Sequence, residues 1–254
     1  MDLLHIFILV IGGLVGGVIS SLVGGAALVT YPALLSVGLP PVVATVCNLV
    51  ALTPGNFLAA LYDRTQLPPI DRSFAGLIAA SLIGAFLGAG LLLVTPERLF
   101  AYFIPLLMAF ATVLFALAGR ISAFMRRRAG GADTHRWAHS ISVILPVSFY
   151  GGYFGAGVGV LLAAVLSIGT AGNYRAANVT KNLVTSLNSL IASLVFWSQG
   201  TVRWTPTLLM MSGALIGGFA GARLAQVVPN HIMRAVVTLV GALLTVAFAW
   251  RYWL

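Results

Sequence analysis

Asn178, Lys181, Asn182, Thr185, Ser186, Asn188, Ser189 and Ser193 all lie inside one long apolar run. Wound at about 100° per residue they share an arc of about 160°. The opposite arc takes Leu183, Val184, Leu187, Leu190, Ile191, Leu194 and Val195. One ammonium among amide and hydroxyl donors, with no carboxylate nearby, is the complement of a small oxyanion.

A second constellation needs no side-chain charge. The stretch GGLVGGVISSLVGGAALVTYPALLSVGLPP, 12–41, pairs Ser20 and Ser21 with Gly24 and Gly25. If the glycines unwind the chain, the backbone N–H groups that open the next helix have no intrahelical acceptor and can face an anion. Glycines at four-residue spacing, such as Gly12 and Gly16 or Gly84 and Gly88, also let helix backbones approach closely, so packing alone is the competing explanation.

Other chemistries lack their residues. Asp2, Asp63, Asp71, Glu97 and Asp133 lie at the terminus or in expected loops, so no apolar run holds a carboxylate of the kind that proton relays and cation sites use. His5, His135, His139 and His231 show no metal-ligand spacing, and the lone Cys47 excludes an intrachain disulfide and offers no thiolate cluster. Neither a nucleophile with His and acid partners nor a phosphate loop is found. An enzyme is not expected, nor any cofactor.

The element that must carry these residues is a membrane helix. With 60% hydrophobic and 7% charged residues and a mean hydropathy of +1.03, the chain cannot present a soluble surface. Its windows of apolar residues match spanning helices and not the short alternating strands of a barrel. The fold class is therefore an all-α integral membrane protein, a polytopic helical bundle. The net charge of +9 falls in short gaps between apolar runs, which marks cytoplasmic loops and not a nucleic-acid partner. The start MDLLHIF has no positive n-region and is expected to be a retained helix.

The apolar runs fall at 3–23, 26–37, 41–61, 73–94 and 97–118, and again at 140–156, 159–169, 176–197, 205–226 and 230–250. The two sets repeat. Gly17, Gly25, Gly38 and Asn48-Leu49-Val50 match Gly151, Gly159, Gly172 and Asn182-Leu183-Val184 at one displacement (182 − 48 = 134). Leu82-Ile83-Gly84 matches Leu215-Ile216-Gly217 at nearly the same one (217 − 84 = 133). We expect a first transmembrane repeat over 1–118, a cytoplasmic basic linker over 119–139 and a second repeat over 140–254. Asn48 is the counterpart of Asn182, but Cys47 replaces the lysine and Thr53-Pro54-Gly55-Asn56 is expected to interrupt the helix.

Loop charge decides between parallel and inverted repeats. If each Gly-broken opening counts as two passes, Arg64, Arg72, Arg175, Lys181, Arg223 and Arg234 join the arginines of the linker in the cytoplasm, leaving Arg98, Arg203 and Arg251 opposite. The alternative, with one pass per opening, divides the charges less cleanly. Inverted repeats with Gly-broken helices are expected. Runs 26–37 and 159–169 are too short to cross alone and suit re-entrant or discontinuous helices near a midplane site.

With these features in order, the chain resembles the sulfite exporter TauE/SafE family, small bacterial membrane transporters of sulfur-containing anions. The resemblance spans nearly the whole chain. It rests on GGLVGGVISSLVGGAALVTYPALL, on GLPPVVAT, on Lys181 with Asn188 seven residues later, and on GTVRW, 200–204, as the family's Gly-x-x-x-Trp turn. It implies transport of sulfite, sulfonates, thiosulfate or related organic anions, in either direction; we expect a secondary transporter of the cell (inner) membrane, an exporter of sulfite, an organosulfonate or a related oxyanion that works by alternating access. The partners expected are the small anionic substrate and the lipid bilayer, with a coupling ion, proton or sodium, and a homo-oligomer also allowed. The alternative is a non-transporting scaffold or assembly protein. The expected substrate-binding residues are Lys181, Asn178, Asn182, Thr185, Asn188, Asn48, Ser20, Ser21, Gly24 and Gly25.

Overall fold

A computed structural model of the chain describes residues 2–22, 24–69, 71–128, 141–170, 173–224 and 230–253. These residues form helices joined by short turns, and no strand occurs among them. In chain order the helices are α1 (Leu3–Leu22), α2 (Ala27–Ser36), α3 (Pro41–Tyr62), α4 (Arg72–Val94), α5 (Glu97–Arg128), α6 (Ile141–Tyr153), α7 (Val158–Gly169), α8 (Tyr174–Ser198), α9 (Trp204–Leu224) and α10 (Asn230–Trp253). Among the described residues 6 helices are long and apolar enough to cross a membrane. The chain is an all-α, multi-pass membrane protein.

Local chemistry sets the helix ends. Pro41 opens α3, where its missing N–H costs no hydrogen bond. Asp71 caps α4 by accepting from Phe74 N at 2.7 Å, and the Asn173 side chain caps α8 by accepting from Arg175 N and Ala176 N. The α8 to α9 turn is the GTVRW motif, in which Gly200 takes φ +65° and Thr201 N returns to Phe196 O, closing the helix as a Schellman turn.

Two expectations need correction. Helix α3 runs unbroken through Thr53-Pro54-Gly55-Asn56, although Pro54 cannot donate to the ladder. The Gly55-Asn56 side of that turn is buried, with Gly55 against the Ala214 main chain of α9, and Ser186 Oγ of α8 donates to Thr53 O at 3.2 Å. The last helix of the first half, expected to end near 118, continues to Arg128 and takes up the first part of the 119–139 segment. Residues 129–139 lie outside the described residues, as does the Gly172 expected to match Gly38.

The short helices fold back. Gly16 faces Thr30 and Gly12 faces Ala33, so α2 runs antiparallel to α1 and returns only part of the way, at 10 residues. Helix α7, of 12 residues, follows α6 through the same kind of break. Contacts between the halves are reciprocal: α1 packs on α9 as α6 packs on α4, and α5 on α7 as α10 on α2. The α1–α9 and α4–α6 seams are backbone against backbone. A Cβ at Gly13 or Gly17 would strike the main chain of α9 around Met210 and Ala214, and one at Gly84 or Gly88 that of α6 around Leu145 and Phe149.

Helices α3 and α8 sit at the centre and run antiparallel. Arg175, at the start of α8, holds Asp63, just past the end of α3, at 2.6 Å. At the other end Cys47 of α3 lies 3.8 Å from Arg203 O, beyond α8. Helices α5 and α10 are antiparallel too, since Trp253 Nε1 donates to Tyr102 O at 3.0 Å while Gly241 packs on Thr112.

Gly25 turns its Cα toward α5, where an added Cβ would fall inside the Phe115 ring. Gly25→Ala is expected to lose about 1–3 kcal/mol through overpacking, and Phe115→Leu in the same chain to recover part of it. Thermal unfolding of the single and double variants checks this; an additive double variant would show that the two positions do not share the space.

Candidate functional site

The two helix breaks meet in the middle of the protein. Gly24, at φ +84°, lies against the main chain of Gly159, and a Cβ on either would come within 2.5 Å of the other's Cα. The opening of α2 and the α6–α7 turn therefore face one another across α3 and α8. Between them is a cavity of about 30 Å³, room for about two waters, bordered by Gly24, Ala26 and Ala27 on one side and Gly151, Gly155 and Val158 on the other. Helix α2 begins at Ala26 with no side-chain cap. Two helix starts at one cavity bring two positive dipole ends to it.

The polar wall comes from α1, α3 and α8: Ser20, Asn48, Asn56, Thr185, Asn188 and Ser189. Asn56 Oδ1 accepts from Ser20 Oγ at 2.6 Å, and Asn188 Oδ1 accepts a short bond from Ser81 Oγ. Asn48 is held through Thr30, which lies within reach of both Asn48 Oδ1 and Ala26 O. Asn188 Nδ2 and Thr185 Oγ1 are buried and have no hydrogen-bond partner. Buried polar groups are nearly always satisfied, so donors left idle around a cavity point to a ligand as their partner.

Lys181 lies one turn from Thr185 on α8 and is 1% exposed. Its Nζ donates to Ser20 O at 2.9 Å and Ser21 O at 3.4 Å, the final carbonyls of α1. The ammonium is directed into the protein, against the snorkelling alternative for a lysine near a helix end. Asn178 Nδ2 joins it on Ser21 O at 3.1 Å and Asn182 Nδ2 at 3.5 Å. These three residues cap the negative end of α1 where it breaks, beside the cavity and not in its lining. Among the described residues no carboxylate pairs with the lysine, and no three His, Cys, Asp or Glu side chains gather at one place.

Of the residues expected from sequence, Ser20, Gly24, Asn48, Thr185 and Asn188 line the cavity. Lys181, Asn178 and Asn182 form the adjoining cap on Ser21, whose side chain turns back to Val18 O. Gly25 packs on Phe115 and lies outside the lining. Asn56 and the glycines of the second break were missed. The glycines carry a signal in their match to the first break; Asn56 lies in the Thr53-Pro54-Gly55-Asn56 stretch expected to interrupt α3, and only an unbroken α3 puts it two turns below Asn48 on one face.

A family model described as Sulfite exporter TauE/SafE matches residues 9–248. The chain is 26% identical to a "Probable membrane transporter protein" of Haemophilus influenzae over 96% of its own length and 94% of that protein's. It is 24% identical to "Probable membrane transporter protein YfcA" of Escherichia coli K12, covering 91% and 85%, and 26% identical to "Probable membrane transporter protein YunE" of Bacillus subtilis, covering 92% and 95%. No solved structure matches.

Proposed function

Since the chain belongs to the sulfite exporter TauE/SafE family and is a membrane transporter, not an enzyme, we propose that it exports a small sulfur oxyanion, sulfite or an organosulfonate, through the cavity between its two helix breaks. The observation that carries this is the pair of idle buried donors, Asn188 Nδ2 and Thr185 Oγ1, at a cavity near one unneutralised lysine. Amide, hydroxyl and helix-start donors suit spread negative charge, and a cavity poor in water strengthens each of them.

Transport proceeds by alternating access between two inverted repeats. The antiparallel run of α3 against α8 and of α5 against α10, each pair equivalent in the duplication, supports an axis in the membrane plane. The Asp63–Arg175 pair then lies on the side of the basic linker, the cytoplasm, with Arg98, Arg203 and Arg251 opposite. In a Cys47→Ala background, Asp2→Cys is expected to label from outside and Arg223→Cys only from inside; both labelling from the same side would reject the inverted arrangement.

Anion-dependent stabilisation of the purified protein tests the function. At a hundred times its dissociation constant a ligand adds about 2.7 kcal/mol. Sulfite, thiosulfate or a sulfonate is expected to raise the unfolding temperature, with chloride inert at equal ionic strength. A shift common to every salt would point to screening, and none at all to the scaffold alternative.

A further inference from the structure

We infer that Ser81 and Ser148 set the selectivity of the cavity by fixing Asn188 with its donor edge inward, so that it favours anions whose oxygens only accept hydrogen bonds over those that carry an O–H. This rests on the cavity being the anion site. Neither serine lines it: Ser81 comes from α4 and Ser148 from α6, and both are buried, at 1% and 0% exposure. Ser148 Oγ donates to Ser81 Oγ at 3.2 Å, and Ser81 Oγ donates to Asn188 Oδ1.

The direction of that relay is what matters. A hydroxyl has one proton to give. Because Asn188 Oδ1 can only accept, Ser81 gives it its one proton and in turn takes a proton from Ser148. Turning the amide would forfeit that donated bond, so Nδ2, on a residue that lines the cavity, is the end left with no partner. Across the cavity Ser20 Oγ holds Asn56 Oδ1 in the same way. An acceptor-only anion satisfies both amides, whereas an O–H aimed at either meets another donor. A site built around hydrogen-bonding direction rejects the wrong partner by leaving buried groups unpaired.

Methanesulfonate and methylphosphonate test this in mildly acidic buffer, where both are monoanions of the same shape and only the phosphonate carries an O–H. Dissociation constants are measured by calorimetry on the full-length protein in detergent. Wild type is expected to prefer methanesulfonate by about tenfold or more. Ser81→Ala should lower that ratio toward one, since the freed amide can turn and offer Oδ1 to the O–H. Ser148→Ala should lower it too, although Ser148 does not line the cavity: without the proton donated by Ser148, Ser81 is freer to turn its own proton away from Asn188 and to accept from Nδ2. Ser148→Ala keeps the test decisive if Ser81→Ala does not fold. A purely packing role would weaken both ligands together. An unchanged ratio in Ser148→Ala, or no preference in wild type, overturns the inference; wild type binding neither anion overturns the anion site beneath it.

Discussion

Lys181→Met is expected to weaken anion binding by about tenfold to a hundredfold, the scale of a lost charge-assisted donor, while the yield of folded protein stays near wild type. Two opposing terms make the second half of that statement. Methionine removes a buried charge that had no carboxylate partner, which relieves a desolvation cost. It also removes the donor to Ser20 O, leaving Asn178 and Asn182 on Ser21 O. Binding has no such compensation, because among the described residues the lysine is the positive side chain beside the cavity, and Ser20, which it anchors, positions Asn56. Lys181→Arg is expected to impair both properties: a rigid planar fork does not fit a fully enclosed ammonium site. Calorimetric affinity and thermal unfolding, measured on the same preparations, separate the outcomes, and wild-type affinity in Lys181→Met would remove the lysine from the site.

Gly24→Val acts through folding instead. At φ +84° any L side chain costs about 1–2 kcal/mol, and here the new Cβ would also press on the Gly159 main chain, adding about 1–3 kcal/mol of overpacking. Against a total stability of about 5–15 kcal/mol, that sum of about 2–5 kcal/mol is a large fraction and lowers the yield of folded protein. Gly38→Val separates the two terms, because Gly38 has φ +87° and nothing within 4 Å. Its loss should be the backbone part alone. Equal yields of the two variants by size-exclusion chromatography would mean that the contact between the breaks contributes nothing.

The sequence shows the parts of this protein better than their arrangement. Apolar runs marked the helices because burial in lipid demands long uninterrupted stretches, and they fell short where α5 runs ten residues past its apolar run to Arg128; the repeat was suggested by the matching Asn48-Leu49-Val50 and Asn182-Leu183-Val184. The polar stripe of α8 was legible as one face. What could not be read is how that face divides along its length: Asn178, Lys181 and Asn182 meet the carbonyls of α1, and only the next turns, Thr185 and Asn188, reach the cavity. That division depends on where α1 ends relative to α8, a tertiary fact without a local signature. Gly24 and Gly25 show the same limit, adjacent in sequence yet facing a partner glycine and a phenylalanine ring. Ser81 and Ser148 carry no motif at all, each being a single hydroxyl on an apolar helix.

The account is tested most directly by anion flux through purified protein in proteoliposomes, comparing wild type with Asn188→Leu. Leucine keeps the branched shape of asparagine and removes the idle Nδ2 donor without altering charge; it also strands the Ser81 hydroxyl at a cost of about 1–3 kcal/mol, so flux is compared per folded molecule, with folding followed by unfolding temperature. Saturable sulfite or sulfonate flux in wild type, lost in a folded Asn188→Leu protein, is the predicted result; flux that is absent in wild type, or equal in the two proteins, would contradict a donor-lined cavity as the path of the anion.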